Sequence, residues 1–293
     1  MKKSTFLLAA AMFCGTMSTF AQNDIKVTLA TDLTTFDPTF KFNDDYKYYA
    51  IYLDEETQAQ ISADRFVYIG ADDNNGRYLD VWSETGTFEE PSTVNSFGVP
   101  GAYMSFKVGS AGWSGGGYRV DAEHPIDLSG ITDEYTLHMA VMATKTDVVD
   151  FKFSDGRDET VADIVLGDGP FEDAAAVANF NRDGEWYNVD IPMSYLSDNF
   201  GLSYKHANKF GDNKYILTFL AGGNTGFTIN WDAIFFYGPK NSTGIKNIEA
   251  EKNFNSPVSI YTTNGKLVTM QYAKANKGVY IVKQDGKTKK VAL

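Results

Sequence analysis

The segment RYLDVW, residues 77–82, combines two aromatic residues and an acid in a pattern that suits the binding of sugars. In an extended strand Tyr78, Asp80 and Trp82 lie on one face, and the aliphatic residues between them lie on the other. Indole and phenol rings pack against the C–H faces of pyranose rings, and a carboxylate accepts hydrogen bonds from sugar hydroxyls. The alternative is that a loop or the N-terminal segment covers this face, in which case the rings are core residues.

Four further residues are candidates for ligand contact because of their type and position. Trp113 and Tyr118 belong to the glycine-rich segment GWSGGGY, and loops at the rim of a sheet often carry binding residues. His138 alternates with the apolar residues of the segment TLHMAVMA and is expected on the outer face of that strand. Trp186 is out of phase with the apolar residues that follow it. The alternatives are a structural tryptophan and a histidine without a role in binding.

The glycine-rich segment also contains the pattern G-x-S-x-G, with Ser114 at the position of a nucleophile. That pattern requires a strand before the serine and a helix after it. Residues 115–120, GGGYRV, indicate a strand instead, which argues against a serine hydrolase. Many carboxylates are present, but no pair stands out as the acid and base of a glycosidase. We therefore predict a protein without catalytic residues, with a glycoside hydrolase as the least favoured alternative.

Short alternating segments separated by turn residues run through the body of the chain. The candidate strands lie at residues 66–69, 77–82, 103–108, 136–144, 148–153, 185–191, 215–220 and 227–237. Clusters of Gly, Asn, Asp and Ser separate them, and only residues 171–180 indicate a short helix or an excursion of the chain. This rhythm predicts an all-β, antiparallel sandwich.

Two phrases in this body, GEWYNVDIPMSYL (184–196) and INWDAIFFYG (229–238), resemble the carbohydrate-binding jelly rolls with a galactose-binding-like fold. A third, GWSGGGYRV followed by IDLSGITDEYTLHMAVMA, is similar to secreted carbohydrate-module-like proteins. The resemblance implies a jelly-roll domain over residues 22–238 that binds a polysaccharide or another glycan. It also implies one structural Ca²⁺, because Asp232 matches the acidic position of the closing strand. Asp72 and Asp73, in an oxygen-rich turn, are its candidate partners.

Both ends of the chain carry patterns of export. Residues 1–21 combine two lysines, a short apolar run and a small-residue cleavage site, which is typical of a signal peptide.

Residues 251–293 contain alternating runs with Asn-Gly and Asp-Gly turns, the pattern of β-hairpins. Their order resembles the type IX secretion C-terminal sorting domain, a small β-sandwich, with residues 239–250 as a linker. The resemblance implies export by the type IX secretion machinery and attachment to the outer cell surface of a Gram-negative bacterium. An ordinary pair of C-terminal hairpins is the alternative.

Charge is distributed unevenly between the body and the tail. From Pro239 onward there are 10 lysines and 3 acids, whereas the body, without the signal peptide, has 14 basic and 35 acidic residues. A body this acidic argues against nucleic acid or anionic lipid as a partner.

The single cysteine lies in the signal peptide, so the secreted protein depends on its core rather than on disulfides. The hypothesis is a secreted, non-catalytic glycan-binding module at the cell surface, and the alternative is a structural or adhesin-like surface protein without a sugar site.

Overall fold

The computed structural model describes residues 25–30, 45–83, 85–98, 100–157, 161–240, 259–268, 278–284 and 287–292. The predicted signal peptide and most of the predicted linker lie outside these residues. The body of the chain forms two large β-sheets that share one core and a separate two-stranded sheet, and the tail forms a further sheet. No helix in these ranges is long and apolar enough to cross a membrane.

The body contains short strands and two short helices. Its strands are β1 (Lys26–Leu29), β2 (Tyr46–Tyr52), β3 (Phe66–Tyr68), β4 (Arg77–Val81), β5 (Gly86–Glu89), β6 (Ser92–Val94), β7 (Pro100–Ala102), β8 (Met104–Val108), β9 (Gly115–Val120), β10 (Thr136–Met142), β11 (Val149–Ser154), β12 (Val161–Leu166), β13 (Ala176–Ala178), β14 (Tyr187–Pro192), β15 (Lys214–Leu220) and β16 (Thr228–Pro239). The helices are α1 (Glu55–Gln58) and α2 (Met193–Phe200).

The larger sheet has eight strands in the order β1-β14-β10-β16-β2-β3, with β8 beside the first half of β16 and β5 beside β8. The second sheet has six strands in the order β13-β12-β11-β15-β9-β4. Neighbouring strands are antiparallel except at two edges, where β3 is parallel to β2 and β13 is parallel to β12. The predicted all-β, largely antiparallel sandwich is confirmed. Each of the eight predicted strands is present, with ends shifted by one or two residues.

The core lies between the two sheets and is built from the apolar half of each alternating strand. Leu137, Met139 and Val141 of β10 are fully buried there, as their alternation predicts. Trp231 of β16 lies among aromatic residues, with its ring centroid 4.7 Å from that of Phe219 on the six-stranded sheet. Burying one large apolar side chain contributes about 1.5–3 kcal/mol to the free energy of unfolding, so the core accounts for most of the stabilisation of the sandwich.

A second apolar layer closes the outer face of the larger sheet. Ala140 and Phe235 of that sheet are buried on the side away from the core, where they cluster with Leu53, Ile61 and Trp186. The β6–β7 hairpin joins this layer through a hydrogen bond from the Trp186 indole to a backbone carbonyl of β6. The outer face of the six-stranded sheet is different, because it carries half-exposed aromatic and charged side chains.

Helical structure is confined to short segments of the body. Helix α2 follows Pro192 and ends at Gly201, whose φ of 72° is the left-handed conformation that glycine favours at helix ends. Residues 171–180, where the sequence indicates a short helix or an excursion, contain no helix but include β13. Strand β13 pairs with β12, which would otherwise be the edge strand of the six-stranded sheet.

The tail forms a four-stranded antiparallel sheet from β17 (Ser259–Thr262), β18 (Leu267–Val268), β19 (Val279–Gln284) and β20 (Lys287–Ala292). Its order is β18-β17-β19-β20, so both predicted hairpins are present. Ile260 and Tyr280 are its buried apolar residues among those described. The sequence predicts a small β-sandwich, whereas the described tail residues form one sheet.

Candidate functional site

The outer face of the six-stranded sheet carries a cluster of aromatic side chains beside its β4 edge. Asp80 of β4 lies on this face, and Trp82 follows the end of the same strand. Tyr215 comes from β15, and Trp113 comes from the loop before β9. We call Trp82, Trp113 and Tyr215 the aromatic platform. Leu79 packs against the core and Asp80 lies on the outer face, so the alternation predicted for β4 is observed at these two residues.

Tyr215 lies across strand β9, which separates β15 from β4. Its hydroxyl group donates a hydrogen bond to Oδ2 of Asp80, 3.0 Å away. The ring passes over Gly117, because a Cβ on Gly117 would lie 2.7 Å from Cδ1 of Tyr215 and 2.5 Å from the carbonyl oxygen of Leu217. The absence of a side chain at Gly117 therefore leaves the space that the Tyr215 ring occupies on this face of the sheet.

Trp82 and Trp113 extend the platform beyond Tyr215. The Trp82 ring stands edge-on to Tyr215, with centroids 6.4 Å apart and an interplanar angle of 89°. The Trp113 ring lies 6.3 Å from Trp82 at an angle of 37°, and its side chain is 54% exposed. Aromatic rings that are held by one another and open to solvent present apolar faces to the C–H groups of a ligand.

Charged groups border the platform on β4 and β9. The Arg119 guanidinium donates to Asp80 at 2.6 Å and lies 4.6 Å from the centre of the Tyr78 ring. The hydrogen bond to Asp80 raises the pKa of Arg119. Burial raises the pKa of Tyr215, and its hydrogen bond to Asp80 adds to that effect. Both groups are therefore protonated at neutral pH and hold the Asp80 carboxylate in place between two donors.

A row of polar residues continues from Asp80 across the sheet, at right angles to the strands. The register pairs Asp80 with Gly117, Gly117 with Thr218, Thr218 with Lys152, and Lys152 with Asp163. Four strand spacings of about 4.8 Å give this row a length of about 19 Å. The Tyr215 ring covers Gly117, Thr218 is the small residue beyond it, and the acids and the lysine offer hydrogen-bond partners along the row.

Lys152 also contacts the carboxylate of Asp150, at 2.9 Å. Asp150 belongs to the same face of the sheet but is fully buried. Burial raises its pKa to about 6, although Lys152 acts in the opposite direction. We therefore place Asp150 beneath the surface of the row, where it positions Lys152 and is not itself open to a ligand.

Tyr118 is not part of the surface site. The sequence predicts this residue in a loop at the sheet rim, but it lies within β9 and is 3% exposed. Its side chain points into the core, where the Trp231 indole donates to its hydroxyl group at 3.3 Å. The prediction that Tyr118 contacts a ligand is wrong. Strand β9 already begins at Gly115, and the alternation along it turns the Tyr118 ring inward.

His138 and Trp186 lie on the outer face of the larger sheet, as their alternation predicts, but they are covered. His138 is 1% exposed, with Nδ1 2.8 Å from Asp190 and its ring stacked on Phe235. Trp186 is 4% exposed, and its indole donates to the backbone carbonyl of Val94 at 3.1 Å. As placed here, neither residue can reach a ligand, and the structural alternatives describe them better.

Ser114 has no features of a catalytic nucleophile. Its side chain is buried, and Oγ donates to the carbonyl oxygen of Ala111 at 2.7 Å. Strand β9 follows it directly, as the sequence predicts, so the strand-to-helix turn of a nucleophile elbow is not formed at this residue.

The three residues proposed for calcium do not form a joint site. Asp72 and Asp73 precede β4, and Asp72 is bound to Arg77 at 2.8 Å and to Asn75 at 2.7 Å. Asp232 lies in β16, in the middle of the other sheet. Among the residues that the structure describes, no three His, Cys, Asp or Glu side chains form a group suited to a metal ion.

Asp232 is instead surrounded by protein donors. It is fully buried and accepts hydrogen bonds from the backbone and the hydroxyl of Ser96, at 3.0 and 2.7 Å, and from the backbone of Ala233 at 2.7 Å. These bonds attach the loop before β7 to the outer face of the larger sheet. Whether the protein binds calcium stays a prediction, which thermal unfolding with and without excess chelator tests.

The sequence analysis did not identify Tyr215 and Arg119. Tyr215 shares its phase with Leu217 and Phe219, so strict alternation places it in the core. A β-bulge between Tyr215 and Leu217 inserts Ile216, which is buried, and turns Tyr215 to the outer face opposite Arg119. The glycine run before Arg119 is the one sequence signal that a large side chain lies over β9.

Distant structural likeness is found to carbohydrate-binding proteins. A family 30 carbohydrate-binding module of a Clostridium thermocellum cellulosomal cellulase is 15% identical with a TM-score of 0.34, over 55% of this chain and 90% of the module. SGBP-B, from a xyloglucan utilization locus in Bacteroides uniformis, is 16% identical with a TM-score of 0.32, over 55% of this chain and 46% of that one. No protein-family model and no curated protein matches the chain. At identities and TM-scores this low, the likeness assigns no ligand.

Proposed function

We propose that this protein is a non-catalytic glycan-binding module and that its site is the outer face of the six-stranded sheet. The observation that carries the proposal is the aromatic platform, in which the Tyr215 ring lies over Gly117 and Trp113 is 54% exposed. Solvent-facing rings next to the Asp80–Arg119 pair offer both kinds of contact that a sugar makes, apolar packing and charge-assisted hydrogen bonds.

The polar row across the sheet supports an extended ligand. Its length of about 19 Å, from the strand spacing, exceeds that of a single sugar ring. We expect a glycan chain to run from the platform at β4 toward Lys152 and Asp163 at the far side of the sheet. A neutral glycan fits best, because the row has an acid at each end and the body of the protein is strongly acidic.

We further propose that the protein is secreted and held at the outer cell surface through its tail. The signal-peptide pattern of residues 1–21 and the resemblance of residues 251–293 to a type IX sorting domain support this proposal. The four-stranded sheet of the tail is compatible with a separate export unit. The alternative, a structural or adhesin-like surface protein, shares this location but has no sugar site.

Binding to a panel of polysaccharides tests the glycan proposal. The panel contains cellulose, xylan, xyloglucan, mannan, starch and agarose, and binding is measured by affinity electrophoresis and pull-down. Trp113→Ala is compared with Val94→Ala on the β6–β7 hairpin, since both side chains are 54% exposed. We expect Trp113→Ala to lose binding and Val94→Ala to retain it. If no polysaccharide binds, or both variants bind equally, the structural alternative replaces the glycan proposal.

A further inference from the structure

A cavity of about 540 Å³ opens at the edge of the sandwich where β2 and β3 of one sheet approach β4 of the other. It lies apart from the aromatic platform, since β4 turns its opposite face to that platform. Its walls are mostly apolar and are formed by Val67, Ile69, Ile126 and the rings of Tyr49 and Tyr68. A cavity of this size is within the range of small-molecule sites.

Two opposite charges line the cavity without contacting each other. Lys47 has its Nζ 4.9 Å from the centre of the Tyr49 ring, and it forms no ion pair within 4.0 Å with any residue in the described ranges. Asp127 uses only Oδ1, which accepts hydrogen bonds from the backbone and the hydroxyl of Ser129 at 2.9 and 2.6 Å. Asp127 is exposed to solvent, and its Oδ2 has no hydrogen-bond partner among the residues described.

The charge on Asp127 is maintained by its surroundings. The bonds from Ser129 lower the pKa of Asp127, and the positive charge of Lys47 lowers it further. Lys47 is therefore near enough to lower the pKa of Asp127 but too far away to form an ion pair with it. Arg77, also in the lining, donates one terminal nitrogen to the Tyr68 carbonyl at 2.7 Å and the other to Asp72 at 2.8 Å, whereas its buried Nε has no hydrogen-bond partner among the residues described.

We propose that this cavity binds a free α-amino acid with an apolar side chain, its ammonium group on Asp127 and its carboxylate on Lys47. A zwitterion offers a partner to each of these two charges at once and leaves the cavity electrically balanced. Its side chain would lie against Val67, Ile69 and Ile126, where apolar contact is favourable. A neutral sugar fits less well, because it carries neither charge and has hydroxyl groups that branched aliphatic walls cannot satisfy. This site is independent of the proposed glycan site.

Titration of the full chain with L-leucine, followed by calorimetry and saturation-transfer NMR, tests the proposal. We expect L-leucine to bind, and Lys47→Gln and Asp127→Asn each to weaken it by about tenfold or more. Asp127→Asn keeps the oxygen that Ser129 needs, so the loop should stay folded. Lys107→Gln, at an exposed position of β8, is the matched control and should leave the affinity unchanged.

Ligand analogues separate the two charges. N-acetyl-L-leucine lacks the ammonium group and L-leucinamide lacks the carboxylate, so each should bind about tenfold more weakly than L-leucine or not at all. The proposal is overturned if L-leucine does not bind, if both analogues bind as well as L-leucine does, or if D-glucose binds in its place. Glycan binding is measured on the same Lys47→Gln protein and should be unaffected, so failure of either proposal leaves the other standing.

Discussion

Trp113 and Trp231 have the same side chain and opposite surroundings. Trp113 stands on a loop and is 54% exposed, whereas Trp231 is fully buried against Phe219 and donates its indole N–H to Tyr118. Removal of a ring from a surface site affects the ligand, and removal of a ring from the core affects the fold. These two outcomes distinguish an aromatic residue that binds a ligand from one that supports the fold.

We predict that Trp113→Ala and Trp82→Ala weaken glycan binding by about 2 kcal/mol or more each, as truncation of aromatic anchors does at other interfaces. Trp113→Ala should leave the free energy of unfolding within about 0.5 kcal/mol of wild type. Trp231→Ala should instead destabilise the protein by about 3–5 kcal/mol. Affinity electrophoresis and urea unfolding measure the two effects. A large loss of stability in both platform variants would show that these rings are core residues.

The hydroxyl group of Tyr215 has a role separate from that of its ring. Tyr215→Phe keeps the ring over Gly117 but removes the hydrogen bond to Asp80. We predict that this variant lowers glycan affinity several-fold, less than Tyr215→Ala does, because the ring is retained but no longer held by Asp80. Calorimetric titration of both variants with the polysaccharide identified in the panel gives the comparison. Equal losses in the two variants would mean that the hydroxyl group, and not the ring face, contacts the ligand.

At the scale of elements, the site depends on how β9 and β15 fit together. Strand β9 provides a position without a side chain at Gly117, and the bulge in β15 turns Tyr215 over it. Neither strand forms the platform alone. The packing of the core and the shape of the site are therefore linked through these two strands.

We predict that Gly117→Ala destabilises the protein by about 1–3 kcal/mol and also weakens glycan binding. The added Cβ would lie 2.5 Å from the backbone of β15 and 2.7 Å from the Tyr215 ring, so the strand and the ring must both move. Gly112→Ala is the control, because a Cβ there has no atom within 4 Å. Chemical unfolding and binding assays on both variants check this. Wild-type behaviour of Gly117→Ala would contradict the placement of the ring.

At the scale of the whole molecule, Asp150 and Asp232 couple stability to pH. Burial raises the pKa of each to about 6 in the folded protein, whereas 3.8 is the ordinary value. Between about pH 4 and pH 6 the folded state therefore holds protons that the unfolded state has released. The free energy of unfolding contributed by these groups falls as the pH rises through this window and is constant above it.

We predict that Asp150→Asn makes the free energy of unfolding fall less steeply between about pH 4 and pH 6, because one of the two buried groups no longer titrates. Urea unfolding at several pH values between about pH 4 and pH 7 measures it. Asp64→Asn is the control. The pKa of Asp64 is lowered to about 2 by its bonds to Lys240 and Ser62, so its contribution is lost only at lower pH. An identical slope in wild type and Asp150→Asn would contradict the burial of a titrating Asp150.

The tail is expected to act in delivery and not in the folding of the body. The Lys240 backbone donates to Asp45 at 2.7 Å, so the body extends to that residue. We predict that truncation after Lys240 leaves the melting temperature of the body nearly unchanged and abolishes display at the cell surface. Calorimetry and surface labelling measure the two effects. Display of the truncated protein would disprove the sorting role.

Much of this architecture follows from local sequence pattern. The eight predicted strands, the inward residues of β10 and the hairpins of the tail all depend on alternation and turn residues within a few positions of each other. The outward positions of Asp80 and Trp82 were predictable for the same reason. The covering of His138 and Trp186 was not, because it depends on segments that are distant along the chain and pack over the larger sheet.

Side-chain alternation is a property of a single strand, and it is sufficient to predict a β-sandwich with an aromatic and acidic strand at residues 77–82. The positions of Tyr215 in the site and of Tyr118 in the core depend instead on how the strands pair with one another. A bulge changes the phase of β15 relative to its own pattern, and the space over Gly117 exists only when three strands are side by side. Asp80 and Tyr215 are 135 positions apart in the sequence, and no local pattern records that they meet.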